Sequence, residues 1–207
     1  LAAIAEAFTD AAVGAVTGPV LGRNGISLQS GAETILADAT TVPAGGAQSV
    51  RRARSGRAPK TVGTNMAFRA ELLREVGGFD ESFEFFLEDA DLNMRLGSSG
   101  VVTAYAPLAV VHHATAASPR RRKDRAPRDI TDIGKSTQLF LSRHHPVDGR
   151  DAALAAARDR ERTRAIRALQ SGAIEPVDVR RLMRSFDAGV TEGRAKGAPQ
   201  LRQFAKP

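Results

Sequence analysis

Between Gly63 and His113 lie the side chains whose types and spacing could carry chemistry. Glu88, Asp89 and Asp91 form one acidic cluster, and His112 and His113 follow about two dozen positions later. A carboxylate of this kind can take a proton from a hydroxyl, which is a poor nucleophile while neutral. An imidazole lone pair can ligate a metal. The Gly77-Gly78-Phe79-Asp80 segment reads as a turn, and Gly63-Thr64-Asn65 lies ahead of it in a strand-like run. Each feature also has an ordinary explanation. Acidic residues favour any helix N-terminus. A His-His pair at a strand end is commonly a surface pair or a hydrogen-bonded core pair.

The totals narrow the classes. At 207 residues the chain is long enough to bury a core, as one domain or as one with an appendage. It has no cysteine, which removes disulfides, thiolate metal sites and cysteine nucleophiles. No apolar run reaches the roughly 18 residues that a membrane helix requires. The first residues, Leu-Ala-Ala-Ile-Ala-Glu-Ala-Phe, lack an initiator Met and a basic flank, and read as the middle of a helix in a fragment. The formal charge of +7 is uneven. Residues 1–113 hold 9 Lys and Arg against 12 Asp and Glu, while residues 114–207 hold 21 against 11.

The elements that must position the candidates follow from pattern. Residues 1–8 read as helix, with Leu1, Ile4 and Phe8 on one face. Val13 to Val20 reads as a buried strand ending at Pro19. From Leu21 to Lys60 periodicity is poor, so a long loop is expected, with a mobile basic end at Arg51–Arg57. A short strand over Val62–Phe68 leads to a helix over Glu71–Val76, stopped by Gly77-Gly78. A second helix runs from about Glu88 to Ser98 and stops at Gly100. On it Asp89, Leu92 and Leu96 share one face, so Asp89 looks the way the core leucines look. Asp91 and Arg95, at i,i+4, are expected to pair on the exposed side. The dipole of a helix favours an ionised carboxylate in its first turn. The like charge of Glu88 opposes this, and the balance stays open.

Val101–Tyr105 and Ala109–His113 read as strands around Pro107. Strand alternation lets only one of His112 and His113 face a given site. Pro119–Arg128 is a basic linker. Helices are expected from Asp129 or Thr131 to His144-His145, over about Asp151–Gln170, and over about Pro176–Phe186, with residues 190–207 frayed.

Taken in order, the motifs are Gly63-Thr64-Asn65-Met66-Ala67-Phe68-Arg69, then Val76-Gly77-Gly78-Phe79-Asp80-Glu81. Glu88-Asp89-Ala90-Asp91-Leu92-Asn93-Met94-Arg95 follows, then Gly100 and Pro107-Leu108-Ala109-Val110-Val111-His112-His113. This series resembles the C-terminal half of the inverting glycosyltransferases of family 2. The likeness is good over residues 1–113 and weaker through Arg143-His144-His145. It implies a mixed α/β fold, a partial GT-A domain, over residues 1–118, followed by the basic linker 119–128 and a helical extension over 129–207. The implied chemistry is transfer of a sugar, with inversion, from a nucleotide-sugar donor, as in cell-surface polysaccharide synthesis.

By the same resemblance Asp89 is the catalytic base with Glu88 beside it, and His113 completes a site for Mn2+ or Mg2+. Gly63, Thr64 and Asn65 line the donor and acceptor pocket, supported by Phe79 and Asp80, with Arg95 in the acidic motif. The family's Asp-x-Asp metal motif is missing before Gly63, so the nucleotide-binding half is expected upstream and the isolated chain is expected to be incomplete.

The acceptor implied is a glycan, a lipid-linked sugar or a protein, and the expected location is the cytoplasm or the cytoplasmic face of a membrane. The competing reading is a basic module for nucleic acid or a membrane surface, carrying a non-catalytic transferase-like domain. Nucleic acid is disfavoured because the basic tract has no interleaved aromatic residues. Peripheral membrane contact through Arg120–Arg128 stays open. A metal hydrolase built on Asp89, Asp91 and His113 ranks lower, since such sites gather more ligands. A docking role for the C-terminal helices is a further alternative.

Overall fold

The computed structural model describes residues 1–44, 50–114, 126–197 and 200–202. Most of the basic linker, including Arg120–Arg122, Lys123 and Arg125, lies outside the described residues. The chain forms two compact units. One comprises residues 1–81, 88–114 and 199–207, and the other residues 82–87 and 115–198.

The first unit is mixed α/β. It opens with α1 (Ala2–Ala7) and β1 (Val13–Thr17), continues through β2 (Val20–Gly22), β3 (Leu28–Ser30), β4 (Glu33–Leu36), β5 (Thr41–Pro43), β6 (Val50–Arg52), β7 (Arg57–Lys60) and β8 (Met66–Phe68), and then turns helical. Helices α2 (Ala70–Glu75) and α3 (Glu88–Ser98) precede β9 (Val102–Tyr105) and β10 (Val111–His113). A four-stranded sheet has the order β6-β9-β1-β8, in which β1 runs parallel to β9 and antiparallel to β8. Two three-stranded sheets follow, β10-β2-β3 and β5-β4-β7. Val13, Val16, Val102 and Ala104 bury the centre of the large sheet, and Ile4 and Phe8 of α1 pack against them.

The long loop expected over Leu21–Lys60 is therefore wrong. The segment folds into β3 to β7, each three or four residues long, too short for alternation to show. The basic end is ordered as well. Arg51 and Arg52 belong to edge strand β6, and Arg54 and Arg57 close a turn around Gly56, whose φ is +70°.

The second unit holds α4 (Thr131–His144), α5 (Arg150–Gln170) and α6 (Pro176–Ala195). The N-cap of α4 is Ile130, which makes no side-chain cap, and Asp129 before it accepts the Thr131 N–H at 2.8 Å in a local turn. Helix α6 starts with Pro176 at its first turn and a reciprocal cap between Glu175 and Asp178. Ile130, Leu182, Met183, Phe186 and Val190 form the core.

Fraying from residue 190 is also corrected, because α6 continues to Ala195. Gly189 and Gly193, which look like breakers, are contact points. A Cβ at Gly189 would collide with the Thr131 carbonyl, and one at Gly193 would lie 2.7 Å from the Lys135 carbonyl. Gly134 meets the Phe186 carbonyl in the same way. In the first unit, the described tail residues pair with the Gly77–Glu81 turn. Arg202 N–H donates to the Gly77 carbonyl at 3.1 Å, and Gln200 N–H donates to Asp80 Oδ1 at 3.0 Å.

Candidate active site

Helix α3 begins abruptly. Phe86 and Leu87 just before it adopt φ of 72° and 66°, a region that costs a non-glycine residue about 1–2 kcal/mol. The next residues, Glu88 and Asp89, open the helix and line a cavity of about 450 Å³. Gly63 and Thr64 form another wall, His113 a third, and Lys60 and Gln29 complete the polar lining. Asp89 and His113, far apart in sequence, thus share one cavity.

Asp89 is held at both oxygens. Its Oδ2 accepts the Gly63 N–H at 3.1 Å, and its Oδ1 accepts the Ala90 N–H at 2.7 Å. One turn further along α3, buried Asn93 fixes the strand that leads to Gly63. Thr61 Oγ1 donates to Asn93 Oδ1 at 2.8 Å, and Asn93 Nδ2 donates to the Thr61 carbonyl at 3.0 Å. Buried amides are retained where they are fully paired, and this pair sets the distance between α3 and the Gly63 loop. Sequence reading overlooked Thr61 and Asn93. The i,i+4 spacing of Asn93 from Asp89 was the available signal.

The remaining sequence candidates stand outside the cavity lining. Asn65 is only 4% exposed, and its amide donates to the Ala109 carbonyl at 2.6 Å and the Pro19 carbonyl at 3.2 Å. It ties the start of β2 and the Pro107–Val111 segment to the Gly63 loop. Asp80 is 1% exposed and accepts the Gln200 N–H, while Phe79 sits in the turn beside it.

Arg95 is spent on structure. Its guanidinium bonds Asp91 Oδ2 at 2.8 Å, the Val76 carbonyl at 2.7 Å and the Gly78 carbonyl at 2.8 Å. The expected exposed Asp91–Arg95 pair is therefore a buried one, with the Asp91 side chain 1% accessible. The two carbonyls of the glycine turn draw the guanidinium inward, and the carboxylate follows its partner.

His113 is half-buried and His112 exposed, which follows from alternation along β10. Lys60 is paired with Glu33 at 3.2 Å, and Glu33 also accepts from Ser30 Oγ at 2.7 Å. Among the described residues no three His, Cys, Asp or Glu side chains are grouped to hold a metal ion. These residues do not complete a ligand set, and His113 offers one ligand at most.

The chain matches the sequence model of Glycosyl transferase family group 2 over residues 1–147, and it belongs to that family. Its mixed sheets and helical C-terminal region are consistent with a partial GT-A-like domain. It is similar to the N-acetylglucosaminyl-diphospho-decaprenol L-rhamnosyltransferases of two Mycobacterium tuberculosis strains, CDC 1551 / Oshkosh and ATCC 25618 / H37Rv. Identity to each is 39% over 83 residues, which is 40% of this chain and 26% of the relative's length. The chain therefore spans about a quarter of the length of these curated relatives. No solved structure matches it. Among the described residues no helix is long and apolar enough to cross a membrane.

Proposed function

We propose that this chain supplies the base and the acceptor side of an inverting transferase that uses a nucleotide-diphosphate sugar. The observation that carries the reading is Asp89, fixed by the Gly63 N–H in the cavity that His113 also lines. In this reaction the Asp89 carboxylate removes the proton of an acceptor hydroxyl. The freed oxygen forms a bond to the anomeric carbon while the bond from that carbon to the diphosphate breaks, and the proton stays on Asp89. A single displacement of this kind inverts the configuration. Glu88, Gly63 and Thr64 lie along the path of the two substrates, and Asn65, Phe79, Asp80 and Arg95 keep the supporting turns in place.

Mn2+ or Mg2+ belongs to the same proposal, with His113 as the one ligand offered here. A bound cation would neutralise charge on the leaving diphosphate. The names of the curated relatives favour a lipid-linked diphosphate sugar as acceptor over a free glycan or a protein. Such an acceptor would bring the enzyme to a membrane surface, where the basic tract Arg120–Arg128 adds affinity for anionic lipid.

The test is transfer by the complete protein from a nucleotide-sugar to a short-chain prenyl-diphosphate sugar, followed by proton NMR of the product. The expected product has an anomeric configuration opposite to that of the donor. Retention, or hydrolysis without transfer, contradicts the proposal.

A further inference from the structure

We propose that Gln29 is a positioning residue that holds His113 as its Nδ1–H tautomer and leaves Nε2 as the lone-pair nitrogen. The role rests on the reading above, in which His113 belongs to the transfer site, although the proton placement stands on geometry alone. Gln29 Nε2 donates to the His113 carbonyl at 3.1 Å, and Gln29 Oε1 lies 3.0 Å from His113 Nδ1. The first bond orients the amide, since the flipped amide would set Oε1 against a carbonyl, acceptor to acceptor. Oε1 is then the atom facing the ring, and it can only accept. Nδ1 must therefore carry the proton, and the neutral ring keeps its lone pair on Nε2.

Two further features serve this contact. Strand β2 lies between β3 and β10, so Gln29 must reach across it. Val20 pairs with Ser30 and Leu21 with Leu28, which leaves Gln29 as the extra residue of a β-bulge. Bulges re-aim single side chains near active sites. The residue paired with His113 on β2 is Gly22, and a Cβ there would come 3.3 Å from Gln29 Nε2. The missing side chain opens the crossing. An imidazole with its lone pair on Nε2 can bind a divalent cation or accept a hydrogen bond from a sugar hydroxyl. The opposite tautomer can do neither through that atom. Partners of this kind commonly fix the tautomer of ligating histidines.

The test is a long-range proton–nitrogen NMR spectrum of the histidine-labelled chain at alkaline pH, with folding of each variant checked by circular dichroism. The wild-type chain is expected to show His113 protonated on Nδ1. Gln29→Leu should populate the Nε2–H form several-fold more, whereas Gln29→Glu, which keeps an acceptor for Nδ1–H but loses the bond to the His113 carbonyl, should shift the tautomer less. Gly22→Ala should act in the direction of Gln29→Leu, and it reports on the contact should Gln29→Leu fail to fold. A wild-type spectrum with Nε2–H, or no response to Gln29→Leu and Gly22→Ala, overturns the proposal.

In the complete protein, Gln29→Leu should lower transfer about 10- to 100-fold and Gln29→Glu clearly less. A tautomer that responds while transfer does not overturns the positioning role. Absence of transfer by the wild-type protein would instead count against the functional reading, since the spectrum measures the proton placement independently.

Discussion

The buried ion pair of Asp91 and Arg95 also clamps the carbonyls of Val76 and Gly78, which the Arg95 guanidinium reaches at 2.7 and 2.8 Å. Removing one partner of a buried pair leaves an uncompensated charge, at a cost of about 3–5 kcal/mol. Asp91→Ala is therefore expected to lower the thermal midpoint of the chain by far more than an exposed control such as Glu71→Ala. Equal midpoints for the two variants would show that the clamp contributes little. Asp89 and His113 were legible because ordered motifs flagged them together. Gln29 and Thr61 were not, because a bulge and a buried hydrogen-bond partner leave no periodic trace, and Asn93 carried only its i,i+4 spacing from Asp89.

Elements with strong 3.6-residue periodicity were readable nearly to their ends. Helix α3 occupies Glu88–Ser98, and α5 and the start of α6 lie within a residue or so of expectation. The short strands β8, β9 and β10 were readable, but β3 to β7 were not, since they are specified by pairing partners rather than by their own sequences. The end of α6 was missed for a different reason. Glycine lowers helix propensity by about 1 kcal/mol, but at Gly189 and Gly193 its small size lets two helices come into backbone contact. Gly189→Ala should accordingly destabilise the helical unit by about 1–3 kcal/mol or more, although alanine is the better helix former. Chemical denaturation measures this. A stabilised variant would mean that α4 and α6 can separate without loss.

At the scale of the whole molecule, ion-paired carboxylates of the helical unit lead to an expectation for acid tolerance. Hydrogen bonds from Lys135 and Lys196 hold the Glu84 carboxyl below the usual range. Arg158 does the same for Asp187. Burial pushes Lys135 down, but the hydrogen bond and charge of Glu84, with Asp132, outweigh it and leave Lys135 raised. Depressed carboxylates contribute stability that is present above their unfolded values and lost as pH falls through the folded ones. The thermal midpoint of the helical unit should therefore hold near neutrality and decline below about pH 4. Asp187→Asn should lower the neutral midpoint slightly and flatten that decline. The effect is small because the Asp187 side chain is 51% exposed. A decline as steep as that of the wild-type chain would assign the acid sensitivity elsewhere.

The uneven charge of the chain was plain in its composition, whereas the mixed α/β first part with a helical second part followed from residue patterning and the family resemblance. Which residues meet in the cavity depended on pairings across the fold. The most direct measurement is the turnover of the complete protein carrying Asp89→Asn, with binding of the nucleotide-sugar measured alongside. A general base contributes about 10²–10⁴-fold, so turnover should drop by at least two orders of magnitude while donor binding stays within a few-fold of the wild-type value. Undiminished turnover would show that another group takes the acceptor's proton.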